Sequence, residues 1–405
     1  MLTLILLSLL LVSNPMAMIL AGIGLVKNPT YSKKYTIIIV ISLAVLAFSY
    51  YPAGHSDLVR YYEQLESIRQ VSLIQAFDYF DDGLYIKNIF FWIISKLRMP
   101  GLIQVASIGI VYGITFYITV DYAEEEGKRR YIWVVLLIQF LCLNYVSIAN
   151  NVRNVIAFSL IDLAAYRDLK KKKFDLITIL LYILPCFIHK AGFVLLLLRI
   201  ALLFTRKKII IPAIATLLIP EIIVLSFRFR TTFARFGTLG KIVSDAILTA
   251  YRATISTSNW AITVTTSRYH LTDRYSTIFL CICFIIVILI MSQQRKTDLT
   301  ISFFGLICLL TISCNVFRTP AYWRFFTAAL CISGPIIIEL LSGKTIKKID
   351  THIILILLII FSSYLFVLHI YGSRQDIVIF DMFTDSLCNP LGIVIARIVI
   401  ALVMY

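Results

Sequence analysis

A chain of 405 residues that is 60% hydrophobic and only 15% charged, with a mean hydropathy of +0.90, is not a soluble globular domain. Soluble domains of this size carry nearer a quarter charged residues, so the composition points to a polytopic membrane protein. The formal net charge of +16 raises nucleic acid as a partner. Lys and Arg gathered in loops between apolar runs is the ordinary membrane-protein pattern, however, and no nucleic-acid partner is expected.

The N-terminal apolar run lacks a basic leader and exceeds the core of a signal peptide, so it reads as a retained first helix. About 20 apolar residues cross a bilayer. Runs of that kind lie near residues 3–26, 35–50, 101–120, 131–149, 155–167, 174–189, 191–204, 209–227, 275–291, 299–316, 322–341, 351–371 and 391–405. The expectation is an all-α polytopic bundle of about 13 spans, forming a single integral membrane domain over residues 1–405. The runs 155–167 and 191–204 are short, which implies tilted or broken helices or a locally thinned bilayer. Pro185, Pro212 and Pro220 mark positions for kinks.

Basic clusters set the orientation. Lys27, Lys33 and Lys34 form the first, Lys128 to Arg130 the second, and Arg167 with Lys170 to Lys173 the third; Arg206 to Lys208, Arg295 with Lys296, and Lys344, Lys347 and Lys348 follow. The span order puts them all on one face, the cytoplasmic one. Two sizeable loops then lie outside, in residues 51–100 and 228–274. The segment Tyr85–Met99 is too short and too basic to span, and reads as an amphipathic helix in the outer interface.

The candidate functional residues lie on that outer face. In the first loop Asp57, Arg60, Tyr61 and Tyr62 sit at near-helical spacing, with Asp57 and Tyr61 sharing a face. Asp57 and His55 are candidates for acid–base chemistry or sugar contacts, or a plain helix start. Asp81 and Asp82 adjoin the amphipathic segment. Arg153, followed by Asn154, sits where one apolar run ends and the next begins. His189 ends a later run on the same side, where an unperturbed imidazole suits general-base work near neutral pH. The loop 228–274 breaks the positive-inside rule with Arg228, Arg230, Arg235, Lys241, Arg252, Arg268 and Arg274, and the short turn further on adds Arg318 and Arg324. Arginine matches phosphate oxygens with paired hydrogen bonds and stays charged, so this surface suits an anionic substrate. The alternative is a solvated loop touching anionic lipid headgroups. The eight cysteines fall almost entirely in apolar runs and read as small buried hydrophobes. No phosphate-binding glycine loop, dinucleotide fingerprint or zinc-protease motif is present, and a metal-independent reaction without a cofactor is expected.

Taken in order, these features resemble the EpsG-like and Wzy-type polysaccharide polymerases, which are grouped with the GT-C membrane glycosyltransferases. The matching residues are Asp57 with Tyr61 and Tyr62, the short stretch Leu84–Leu97, Arg153 to Ala157, His189 followed by Ala and Gly, and the aromatic run Tyr322 to Phe326. One departure is Asn154, where the family pattern often has Gln. The resemblance implies O-antigen or related polysaccharide polymerisation in a bacterial inner membrane. A growing glycan would leave undecaprenyl diphosphate for the non-reducing end of a new lipid-linked repeat unit, at the periplasmic face. A chain-length regulator and a flippase are implied as partners, beside membrane lipid. In that reading Arg153, Arg318 and Arg324 stabilise the departing diphosphate, and Arg228, Arg230, Arg235, Arg252 and Arg268 recruit it. His189 is the first candidate base and Asp57 the second. A lipid-linked oligosaccharide flippase, an O-antigen ligase or another GT-C-type glycosyltransferase would use similar arginines.

Overall fold

A computed structural model describes residues 13–50, 52, 56–204, 210–235, 237, 240, 244, 247–248, 268–293, 299–316, 321–342 and 351–373. Among these every regular element is helical. That is the expected outcome for a chain in hydrocarbon, where the backbone must satisfy its own hydrogen bonds.

In chain order the helices are α1 (Asn14–Lys27), α2 (Ser32–Leu46), α3 (Asp57–Ile68), α4 (Leu73–Phe77), α5 (Tyr85–Lys96), α6 (Leu102–Glu125), α7 (Ile132–Cys142), α8 (Tyr145–Asn150), α9 (Val152–Ala165) and α10 (Leu176–Ile183). They continue with α11 (Gly192–Phe204), α12 (Ile210–Leu217), α13 (Ile219–Arg228), α14 (Arg230–Ala234), α15 (Arg268–Gln293), α16 (Leu299–Val316), α17 (Tyr322–Cys331), α18 (Gly334–Leu341) and α19 (Thr351–Ser373). The expected apolar runs fall on helix wherever they are described, but they are not all full-length crossings. Among the described residues five helices are long and apolar enough to cross a membrane, or up to six if the bent pair α17 and α18 is one span. The last expected run, 391–405, lies outside the described residues.

Several of the expected runs are broken among the described residues, and four of these breaks have a local cause. The run 322–341 bends by 61° between α17 and α18. Pro335 opens α18; it lacks an N–H and its ring collides with the carbonyl four residues back. Pro220 opens α13 in the same way and parts it from α12. Pro185 turns the end of α10 into a 3-10 turn, Leu184–Phe187. The run 131–149 stops at Cys142, and Asn144 restarts the chain as α8 by accepting the Ser147 N–H at 3.0 Å.

The chain divides into two compact units, residues Met1–Val194 with Leu330–Tyr405, and residues Leu195–Ala329. The first unit has chemically distinct ends. At one end the basic clusters meet the acidic run 121–126. Lys33 pairs with Glu124 at 2.8 Å, Lys171 with Asp121 at 2.6 Å, Lys170 with Glu126 at 2.6 Å, and Arg167 with Asp175 at 2.8 Å. Lys128 pairs with Glu339, which also accepts the Tyr122 hydroxyl at 2.7 Å. Three of the basic clusters read from the sequence therefore share one end. The clusters at 206–208, 295–296 and 344–348 lie outside the described residues.

Helix α9, with 14 residues, is about 21 Å long and carries Arg153 toward the opposite end from Arg167. There the expected loop 51–100 is a helical cap of α3, α4 and α5. At 12 residues, α5 is about 18 Å long and too short to cross a bilayer. Trp92 Nε1 donates to the Val71 carbonyl at 3.0 Å, Asn88 Nδ2 to Phe77 at 3.2 Å and Lys96 Nζ to Arg69 at 2.6 Å, which ties α5 to the rest of the cap. In the second unit Arg274 spans to Asn315, donating to its side chain at 3.2 Å and its carbonyl at 2.6 Å, while Tyr322 donates to Asp273 at 2.6 Å.

Candidate functional site

Arg153 is the second residue of α9, just past its N-cap Asn151. Its Nε donates to the Tyr61 hydroxyl at 3.1 Å, and its guanidinium lies 5.1 Å from the centre of the Tyr61 ring. Tyr61 itself is 1% exposed and is held edge-on against Phe91 of α5 at 5.5 Å. One turn earlier on α3, Asp57 pairs with Arg60 at 2.9 Å, and the Arg60 guanidinium is 5.9 Å from the same Tyr61 ring. Helical spacing therefore delivers Asp57, Arg60 and Tyr61 to one place, and tertiary packing brings Arg153 to them.

A further cation lies beside them that the sequence reading does not single out. Lys87 of α5 is fully buried, ion-paired with Asp82, and 4.6 Å and 6.0 Å from the rings of Phe80 and Phe91. The turn that presents Asp82 uses left-handed backbone at Asp81 and Gly83, a conformation Gly adopts without steric cost. Asp82 also accepts the Leu84 N–H at 3.0 Å. Burial pushes the Lys87 ammonium below its usual range and the bond to Asp82 opposes that shift; Arg153 and Lys190, both within electrostatic reach, lower it further. The buried stripe of α5 is Lys87, Asn88, Phe91, Ile94 and Ser95. Its helical spacing was the available signal.

His189 sits in the turn between α10 and α11, its ring edge-on to Phe158 of α9 at 6.3 Å. The Ala191 N–H donates to His189 Nδ1 at 3.1 Å. In the neutral ring the proton is then on Nε2, so this geometry makes His189 a hydrogen-bond donor at Nε2. The expected general-base role needs the other tautomer, which this bond opposes. Tyr85 stacks on Phe77 at 4.6 Å and on Phe187 at 6.1 Å, joining the helical cap to the turn that precedes His189.

The arrangement leaves an excess of positive charge. Arg60 and Lys87 have carboxylate partners. Arg153 and Lys190 form no ion pair among the described residues. With the N-terminal dipole of α9 added, the cluster is complementary to an anion.

A family model, described as the EpsG family, matches residues 33–380. The chain belongs to the EpsG family. The match takes in α3, α5, the start of α9 and the His189 turn, so the whole cluster lies within the family region. No curated protein and no solved structure matches this EpsG-family chain.

The remaining expected residues fall elsewhere. Tyr62 is a strut. Its hydroxyl donates to Gln104 at 3.0 Å, Gln104 donates to the carbonyls of Ala47 and Tyr50 at 3.3 Å and 3.4 Å, and Tyr50 donates to Asn150 at 2.7 Å. Asn154 is 4% exposed, inside the packing of α9 and not on its surface. Arg228, Arg230, Arg235 and Arg324 belong to the second unit. Arg228 and Arg235 are exposed; Arg230 lies 5.3 Å from the Phe227 ring and Arg324 5.6 Å from the Trp323 ring. Arg268 begins α15, its side chain not among those described, and Arg252 and Arg318 lie outside the described residues. The expected loop 228–274 is helical over Arg230–Ala234 and again from Arg268. Lys87, Lys190 and Gln104 are the residues of the cluster and its support that the sequence reading passed over; Asp82 it noted only as adjoining the amphipathic segment.

Proposed function

We propose that this chain is a membrane polysaccharide polymerase that moves a growing glycan from undecaprenyl diphosphate to a new lipid-linked repeat unit. Membership of the EpsG family supports the polymerase class. The observation that carries the site is Arg153, a guanidinium without a carboxylate partner held on Tyr61, at the end of the first unit away from the ion-paired basic loops. As the anomeric bond breaks, negative charge gathers on the departing diphosphate, and fixed cations in a water-poor site stabilise it most. Arg153 and Lys190 supply that charge, while Lys87 supports Tyr61 and Arg153 from below. His189 donates a hydrogen bond from Nε2 to a diphosphate or sugar oxygen. Asp57 takes the proton of the attacking sugar hydroxyl, with Arg60 holding its carboxylate in place. Arg228, Arg230, Arg235, Arg252, Arg268, Arg318 and Arg324 have a separate recruiting role for the same anion.

In this reading the Arg153 end faces the periplasm from a bacterial inner membrane. The short and broken helices complete a bundle of about 13 crossings. The product is an O-antigen or related surface polysaccharide, made with a chain-length regulator and a flippase as partners and without a metal or cofactor. Deletion of the gene tests this reading. Lipid-linked or core-linked material bearing a single repeat unit is expected to remain, with long chains absent. Loss of the single-repeat material as well identifies a flippase or ligase and contradicts the polymerase.

The tautomer of His189 yields a second expected result. His189→Ala slows polymerisation about 100-fold, whereas His189→Gln, which keeps an amide donor, retains most of the rate at equal protein level. Equal loss in both variants returns the base role to His189.

A further inference from the structure

The strongest unassigned feature is far from the cluster just described. Asp162 lies on α9, about 13 Å along the helix axis from Arg153. It is 0% exposed, and neither carboxylate oxygen has a hydrogen-bond partner among the described residues. A buried, unpaired carboxylate costs several kcal/mol, and groups of this kind at membrane depth are generally retained for a purpose.

One polar neighbour lies at the break between α17 and α18. The Cys331 thiol is within electrostatic reach of Asp162, and Thr115 of α6 hydrogen-bonds that thiol. Cys331 is the last residue before the break between α17 and α18. The hydroxyls around the break spend their protons on backbone carbonyls: Thr115 on Val111 at 2.7 Å, Ser159 on Ile156 at 3.1 Å and Ser333 on Leu330 at 2.7 Å. Gln139 donates to Ser333 at 3.2 Å, and its carbonyl lies 2.9 Å from the Thr119 hydroxyl. The break is packed tightly onto α6, since a Cβ on Gly334 would stand 2.2 Å from Thr119 Oγ1. Among the described residues Asp162 forms no ion pair. Among the described residues, the titratable neighbour within electrostatic reach is the Cys331 thiol. All of these residues belong to the first unit.

An orphaned, buried carboxylate beside a broken helix is complementary to positive charge. We infer that Asp162 binds a positive charge drawn from solution, a proton or a single alkali cation, where α9 meets the break at Cys331–Gly334. Occupancy is then part of the folded state of the helix that carries Arg153. The inference does not depend on what the chain polymerises.

Thermal unfolding of the purified full chain in detergent or nanodiscs tests it, comparing the wild type with Asp162→Asn, which mimics the neutral acid at equal volume. In the first arm pH rises from 5 to 9 (about 4 units) at constant ionic strength with an organic cation as the only counter-ion. If the ligand is a proton, the folded wild type holds one more proton than the unfolded chain near neutral pH. Its stability therefore falls as pH rises, by a few degrees in Tm, and Asp162→Asn lacks that component. In the second arm NaCl or KCl replaces the organic salt at fixed pH. If the ligand is an alkali cation, wild-type Tm rises with its concentration and the variant does not respond. Parallel curves for the two proteins in both arms overturn the inference. If Asp162→Asn does not fold, infrared spectroscopy of the wild type takes its place. A protonated carboxyl band at neutral pH that resists deuterium exchange, or a sodium or potassium response in Tm, supports the inference; the absence of both rejects it.

Discussion

Arg153→Ala is expected to abolish long-chain polysaccharide while the protein remains at its normal level in the membrane. The guanidinium is held by Tyr61, through a 3.1 Å hydrogen bond and a ring contact at 5.1 Å, and carries a charge with no carboxylate partner among the described residues. Removing one such group from a preorganised anion site typically costs about 100- to 1,000-fold in rate. Arg153→Lys is expected to recover little. Lysine keeps the charge but loses the Nε–H that meets Tyr61 and the planar face that lies on its ring. Tyr61→Phe keeps the ring and loses one hydrogen bond, about 0.5–1.5 kcal/mol, so its effect is about 10-fold at most. That ranking separates positioning from charge. Equal activity in Arg153→Lys and the wild type means that any cation suffices, and the geometry then explains nothing.

The second large effect is on stability. Lys87 and Asp82 are an ion pair with unequal burial, their side chains 0% and 30% exposed. Removing Asp82 leaves a cation inside the cap, against aromatic rings and within reach of Arg153 and Lys190. Asp82→Ala is therefore expected to destabilise the cap by about 3 kcal/mol. Lys87→Met leaves a partly hydrated carboxylate, and its cost is smaller. The double variant is expected to recover much of the loss, because the uncompensated charge is gone and Met packs against Phe80 and Phe91. A double-mutant cycle read by denaturant or thermal unfolding measures this directly. Additive losses across the cycle contradict a coupled pair. The pair also bears on activity, since Lys87 lies 6.0 Å from the Phe91 ring, which packs edge-on against the Tyr61 ring on which Arg153 rests.

The parts of this architecture that rest on local rules were legible. Apolar runs located the helices, Pro185 and Pro220 marked where they stop, and the spacing of Asp57, Arg60 and Tyr61 placed them on one helix face. Pro335 carried the same message at the α17–α18 break and was overlooked. The span count was less legible because a run of apolar residues does not distinguish one straight helix from two short ones. Lys87 was not singled out because charge on an amphipathic helix is ordinarily solvated. Here Asp82, five residues earlier in the chain, neutralises it, and the polar pair turns inward. The acidic run 121–126 was visible in the sequence, yet its pairing with Lys33, Lys170 and Lys171 joins residues distant along the chain. His189 was read as a candidate base at the end of an apolar run. Its ring is oriented by the Ala191 N–H, a backbone contact that no residue pattern encodes.

The most direct test of the account is the binding of a polyprenyl diphosphate to the purified protein, measured beside the corresponding monophosphate and alcohol. The wild type is expected to prefer the diphosphate strongly and to lose affinity as salt rises. Arg153→Ala is expected to bind all three alike. Equal diphosphate affinity in the wild type and Arg153→Ala contradicts the claim that this guanidinium holds the leaving group.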